Sequence, residues 1–389
     1  MTTSRVATRL QPFGATIFTE MSLLARQHGA VNLGQGFPDF DGPVFVKDAG
    51  IRAIRDGHGQ YSRMFGVPDL NAAIAGRFKR DTGLDVDPDS EITVTCGCTE
   101  AIAATMIGLL NAGDEVVLIE PYYDSYPATV AMAGGTVRSV TLRPPAFALD
   151  VAALRAAVTP KTRCVLLNTP HNPTGHVFTR SELEGVAQVC REHDLICISD
   201  EVYERLVFEG EHISIATLPG MRARTITLSS LGKTYSLTGW KIGWAIAPPD
   251  LTAAVRAAHQ FITFCASTPL QVAAIEALGS GDDYDRAFLA EYRHRRAIMV
   301  DGLQESGFEV FVPQGTYFIM CDHARFGFPD DLSFAKYLAI EIGVAGIPPG
   351  SFYQRREDGR SLIRFAFCKK EETLRAAIDR MKRLPAGKV

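Results

Sequence analysis

The 389-residue sequence has no long hydrophobic run. Its longest candidate, "AIAATMIGLL" at residues 101–110, is about half of the ~20 apolar residues that a membrane-spanning helix needs. The opening "MTTSRVATRLQPFG" lacks the apolar core of a secretion signal. Positive charge is not in excess: 40 Lys and Arg stand against 44 Asp and Glu, a formal net charge of −4, which argues against nucleic acid as a partner. Repeats, low-complexity tracts and long charge blocks are missing too. Of the 8 cysteines, Cys164, Cys190, Cys197 and Cys368 sit in apolar runs, where reduced, buried thiols are expected rather than disulfides. What is present is ordinary for a globular chain, 46% hydrophobic and 22% charged. A cytoplasmic enzyme with no membrane association is the expectation.

The length exceeds one comfortable core and falls short of three domains. From about residue 70 to 250, short apolar runs alternate with helical patterns. The strand candidates are "EITVTC" (91–96), "DEVVLIEP" (114–121), "TRCVLLNTP" (162–170), "LICISDE" (195–201), "RTITLSS" (224–230) and "IGWAIAP" (242–248). Between them, "TEAIAATMIGLLNAG" and "SELEGVAQVCREHD" carry helical spacing with glycine or polar ends. Continuous apolar strands interleaved with helices imply an α/β fold with a mostly parallel sheet covered on both faces. Ligands then sit at the carboxyl ends of the strands. From about residue 285 the pattern changes to a small α+β unit. "FEVFVPQGTYFIMCD", "GVAGIPPGSFY" and "SLIRFAFC" read as strands; "DYDRAFLAEYRHRRAIMVDGLQES" and "EETLRAAIDRMKRL" read as helices. Residues 1–45, with no clear alternation of their own, are expected to join this smaller domain (285–389), leaving 46–284 as the large domain.

The stretch "TLSSLGKTYSLTGWKIGW" (227–244) poses a question about Lys233. A phosphate-wrapping P-loop needs a glycine five positions before Gly232, and Thr227 stands there. The alternative is an amine held to form a covalent imine, with Ser230 and Lys241 nearby to hold a phosphate. The Cys-x-Cys pair in "CGCTEA" (96–101) has no second Cys or His pair at ligand spacing, so no metal site is expected.

"SSLGKTYSLTGWKIGW", with "LGQGFPDF", "NTPHNPTG" and "SDEVYE" in the same order, resembles the class I aminotransferases, fold-type I enzymes that use pyridoxal 5′-phosphate. The resemblance runs from residue 31 to residue 374, and is strongest to the bacterial methionine aminotransferases and the kynurenine aminotransferase/glutamine transaminase K group. It implies a large cofactor-binding domain plus a smaller α+β domain, and a homodimer with shared active sites. Lys233 matches the family's imine-forming lysine, and Asp200 the carboxylate that keeps the pyridine nitrogen protonated. Asn172 and Tyr203 match donors to the ring's phenolic oxygen. Gly97, Cys98 and Thr99 match the phosphate loop at a helix start, with Ser230 and Lys241 as further phosphate contacts. Many relatives have arginine at the last position, and lysine keeps the charge without the fork. Tyr123 matches the ring stacked on the cofactor, and Tyr61 the tyrosine that reaches the phosphate from a neighbouring subunit.

On the substrate side, Arg364 in "LIRFAF" matches the arginine that holds the carboxylate through its planar fork. Asn168 and the Gly36 backbone match supporting contacts. Phe18, Tyr61, Tyr123 and Phe264 match pocket positions, and their aromatic character suits neutral, apolar or sulfur-bearing side chains. No second arginine near these motifs meets an acidic side chain. Cys265 stands where some kynurenine-type relatives have histidine, which shifts the expectation towards methionine, with aromatic amino acids next. The implied reaction is ping-pong transfer of an amino group to a 2-oxo acid. Two other readings share the motifs: a carbon–sulfur β-lyase of the same fold, and a non-catalytic cofactor-binding regulator.

Overall fold

The computed structural model of the chain describes residues 5–385. The outermost parts of the two terminal ranges expected above, 1–4 and 386–389, lie outside the described residues. Strands follow in chain order: β1 (Val31–Asn32), β2 (Ile92–Thr95), β3 (Glu115–Glu120), β4 (Thr136–Thr141), β5 (Thr162–Asn168), β6 (Ile196–Asp200), β7 (Thr225–Ser230), β8 (Gly243–Ile246), β9 (Glu309–Phe311), β10 (Phe318–Asp322), β11 (Val344–Ala345) and β12 (Leu362–Ala366).

Seven of them build one sheet in the order β2-β8-β7-β6-β5-β3-β4. β4, β3, β5, β6 and β7 run parallel, and β8 is antiparallel to both of its neighbours. The central strands are apolar on both faces because helices cover both. In β3, Val116 and Leu118 pack with Ile102 and Met106 of helix Cys98–Leu109 and with Val255 of helix Pro249–Ile262. Val117 and Ile119 turn the other way, into the cluster that holds Leu183 and Val186 of helix Arg180–Glu192. Each such side chain contributes about 1.5–3 kcal/mol relative to exposure.

The strand β4, "TVRSVT", is not in the sequence expectation. It forms the sheet edge, and its exposed Thr136 and Arg138 break the continuous apolar run that marks the inner strands. The first 45 residues also hold more structure than expected. Helix Ile17–His28 starts at Thr16, whose hydroxyl accepts from Thr19 N at 3.3 Å, and ends at Gly29 with φ 60°. Only Met21 and Ala25 on it are buried, so its apolar stripe is faint. After it, β1 pairs in parallel with β11, Val31 opposite Val344. The run "GVAGIPPGSFY" yields only this two-residue strand; Pro349 starts a 3-10 turn, since proline has no N–H for a ladder. A separate antiparallel sheet has the order β12-β10-β9. Among the described residues no helix is long and apolar enough to cross a membrane.

Candidate active site

Two reversals of direction, at β8 and β2, leave β2, β3, β5, β6 and β7 with their carboxyl ends on one edge, beside the amino end of β8. The segments leaving that edge wall a cavity of about 460 Å³. β2 supplies Gly97, Cys98 and Thr99; β3 is followed by Tyr123; β5 ends at Asn168, with Asn172 just beyond. β6 ends at Asp200, followed by Tyr203; β7 ends at Ser230, followed by Lys233; Lys241 precedes β8. Phe18, Gly36 and Arg364 close the other side. Of the cofactor- and substrate-binding residues expected from the sequence, Tyr61 and Phe264 are not part of this lining, and nor is Cys265. Tyr61 and Phe264 meet edge to face at 5.4 Å, and Tyr61 is 84% exposed.

One end of the cavity suits an anion. Gly97, the N-cap of helix Cys98–Leu109, has φ 77°, a conformation that favours glycine. A Cβ on Gly243 would lie 2.6 Å from Cys98 N, so β8 packs flush against this helix start. Lys241 adopts a left-handed backbone (φ 54°), and its Nζ lies 3.2 Å from where a Cβ on Gly97 would sit. Helix amides, the Ser230 hydroxyl and an ammonium thus face one space. Glu100 braces the turn: its Oε2 accepts from Cys96 N at 3.0 Å, and its Oε1 pairs with His259 Nδ1 at 3.0 Å.

At the base lies Asp200, a buried carboxylate. Burial raises its pKa; the Tyr126 hydroxyl at 2.7 Å, the Val202 amide at 3.3 Å and the Cys98 thiol oppose this by donating to it, and Lys233 adds a favourable charge. Asn168 holds the strand end, donating to the Asp200 carbonyl at 2.9 Å and accepting from Asn172 N at 2.8 Å. The Asn172 side-chain oxygen accepts from Arg364 Nη1 at 3.1 Å. Arg364 Nη2 donates to Gly34 O at 2.9 Å, while Nε has no partner among the described residues. The guanidinium lies 4.1 Å from the Phe318 ring centroid, with Phe18 and Phe352 at 5.1 and 5.3 Å. Burial pulls its pKa down to about 10, leaving it charged at neutral pH. Burial also lowers the pKa of Lys233, whose Nζ donates to the Tyr317 hydroxyl at 3.0 Å.

Sequence reasoning missed Tyr126 and Tyr317. Tyr126 was the third tyrosine of "EPYYDSY", on the buried face of helix Ser125–Met132; Tyr317 lay inside a run that reads as plain core. The Gly36 carbonyl accepts from Tyr317, and Gly34 is the backbone group that reaches Arg364.

The site joins an anion cradle, a buried carboxylate, a partly desolvated amine and a buried guanidinium. Such a donor set fits a phosphorylated pyridine aldehyde and an amino acid: the cradle suits the phosphate and the carboxylate suits the ring nitrogen. The model of the family described as "Aminotransferase class I and II" matches residues 29–381, and the chain belongs to that family. It is a pyridoxal 5′-phosphate-dependent aminotransferase. The chain is 46% identical over 384 residues to a probable N-succinyldiaminopimelate aminotransferase of Mycobacterium tuberculosis, covering 96% of this chain and 97% of that one. It is 42% identical over 377 residues to the methionine aminotransferase of Escherichia coli, covering 97% of each. The solved structure of the N-succinyldiaminopimelate aminotransferase from Mycobacterium tuberculosis superposes with a TM-score of 0.95 at 46% identity, covering 97% of this chain and all of that one.

Proposed function

We propose that the amino donor is a neutral amino acid, methionine first and aromatic amino acids next, and that the residues around the cavity divide the work as follows. Bound pyridoxal 5′-phosphate supplies an aldehyde that takes up the amino group and a protonated ring that accepts the electron pair left at Cα. Ser230, Lys241 and the amides of Gly97–Thr99 hold its phosphate. Asp200 would keep the ring nitrogen protonated, Asn172 and Tyr203 would serve the phenolic oxygen, and Tyr123 would pack on the ring. Arg364 binds the donor carboxylate, supported by Asn168 and the 34–36 backbone. Lys233 would anchor the cofactor and, as a free amine, would take the Cα proton at Nζ and return it.

The carrying observation is the charge of the cavity: among its lining residues the cationic side chains are Lys233, Lys241 and Arg364, each already assigned. Phe18, Phe37 and Phe318 offer apolar surface instead. A donor such as N-succinyldiaminopimelate, which names the 46%-identical relative, carries further carboxylates that would need another cation. The methionine aminotransferase relative agrees with the neutral reading.

We further propose a homodimer, because Tyr61, Phe261 and Phe264 are 84%, 83% and 42% exposed on one chain. The division into a large domain (46–284) and a small domain (285–389 with 1–45) draws support from the β1–β11 pairing. A cytoplasmic location accords with this small-molecule chemistry.

The test adds single amino acids to the cofactor-loaded enzyme and follows conversion of the aldehyde absorbance to that of the amine form. Methionine should convert it fastest. Faster conversion by N-succinyldiaminopimelate would overturn the neutral-donor reading, and pyruvate released from cystathionine in preference to transamination would favour the β-lyase.

A further inference from the structure

Tyr317 lies just before β10 and is fully buried. Rings fix it on several sides: Tyr203 edge-on at 5.3 Å, Phe318 at 4.9 Å and Tyr292 stacked at 6.0 Å. Its hydroxyl makes two contacts. It donates to the Gly36 carbonyl at 2.6 Å, and it lies 3.0 Å from Lys233 Nζ. A phenol has one proton to give. With that proton committed to Gly36 at the short end of the O–H···O range, the phenolic oxygen meets Lys233 as an acceptor. Position 36 suits this approach, since a Cβ there would lie 2.6 Å from the Phe318 ring.

We propose that Tyr317 is a positioning residue for the proton-transferring amine: its phenol, tied to Gly36, takes one N–H of Lys233 and thereby aims the amine's lone pair into the cavity. The inference rests on the reading above that Lys233 is that amine. A free, neutral lysine amine rotates about its last bond and presents its lone pair in any direction. One fixed acceptor removes most of that freedom, and the rings of Tyr203 and Tyr317, with centroids 5.5 and 5.6 Å from Nζ, bound the rest. Burial of Lys233 lowers its pKa, which shifts the balance towards the form with a lone pair. The arrangement also links the amine to Arg364, because the 34–36 segment that accepts the Tyr317 hydrogen bond also offers the Gly34 carbonyl to Arg364.

The test compares wild type, Tyr317→Phe and Lys233→Ala. Tyr317→Phe keeps the buried ring, and circular dichroism with a thermal melt checks that it folds as wild type does. Three quantities are measured: the single-turnover rate with Cα-protio and Cα-deuterio methionine, the donor dissociation constant, and labelling of Lys233 by an amine-reactive reagent in the cofactor-free protein. Tyr317→Phe should slow the turnover by about 10–100-fold, with a larger deuterium effect and an unchanged donor dissociation constant. Without the acceptor that favours the charged amine, Lys233 should label faster at neutral pH. A wild-type rate and labelling profile in Tyr317→Phe, with Lys233→Ala inactive, would overturn the Tyr317 proposal alone. A slower rate with unchanged isotope effect and labelling would make Tyr317 merely structural and overturn it too. Retained turnover in Lys233→Ala would instead remove the reading on which the proposal rests.

Discussion

Arg364 shows what a single residue must satisfy here. It is charged, 2% exposed and packed among three aromatic rings, with Asn172 and Gly34 taking two of its donors. A buried cation is tolerated when its hydrogen bonds are met, and a substrate carboxylate would meet more of them, above all at Nε, which is unpartnered among the described residues. Arg364→Lys keeps the charge and loses the fork, so kcat/KM for methionine should fall about 10–100-fold, measured by steady-state kinetics. The place of Arg364, Lys233 and Asp200 in one cavity was legible because each stands in a motif whose neighbours recur together. Tyr126 and Tyr317 were not, since a tyrosine that donates to a buried carboxylate and one that fills a core look alike in sequence.

Helix Arg180–Glu192 shows the same economy in an element. Thr179 and Glu182 form a capping box, and the Glu182 carboxylate also receives Leu149 N at 2.8 Å and pairs with His176 Nε2 at 2.9 Å. Burial alone would raise the Glu182 pKa; the bonds from His176, Leu149 and Thr179 outweigh it and bring it to about 2, from 4.5. Its folded value is depressed, so its stabilisation is complete above pH 4.5 and is lost as pH falls towards 2. Neighbouring His171 acts over a higher window: burial first, then His176, lower it from 6.5 to about 3, so it disfavours the folded state increasingly as pH drops from 6.5. Glu182→Ala should cost about 2 kcal/mol at neutral pH, and its deficit relative to wild type should shrink in acid, read from melting curves at several pH values. This helix was legible because its polar start and apolar stripe are strong. β4 and helix Ile17–His28 were not, because an edge strand and a half-exposed helix bury few side chains and leave little periodicity.

For the whole molecule, the parallel sheet follows from runs of apolar residues, and the sheet in turn brings the segments that follow β2, β3, β5, β6 and β7 to one cavity. Tyr61 and Phe264 lie outside it; for Phe264 this departs from the pocket position expected from the sequence, and for Tyr61 it accords with the proposed reach into a neighbouring subunit's site. Mixing an inactive Tyr61 variant with Lys233→Ala after subunit exchange should therefore restore about a quarter of wild-type activity, since half of the dimers then hold one intact site. No recovery, with light scattering showing a dimer, would place Tyr61 elsewhere. Above all these stands the proposed bond between Lys233 and the cofactor. Borohydride reduction of the loaded enzyme, followed by peptide mapping, tests it most directly. The expected result is a cofactor-derived tag on Lys233 and a fixed chromophore; a tag on another residue, or none with the cofactor bound, would contradict it.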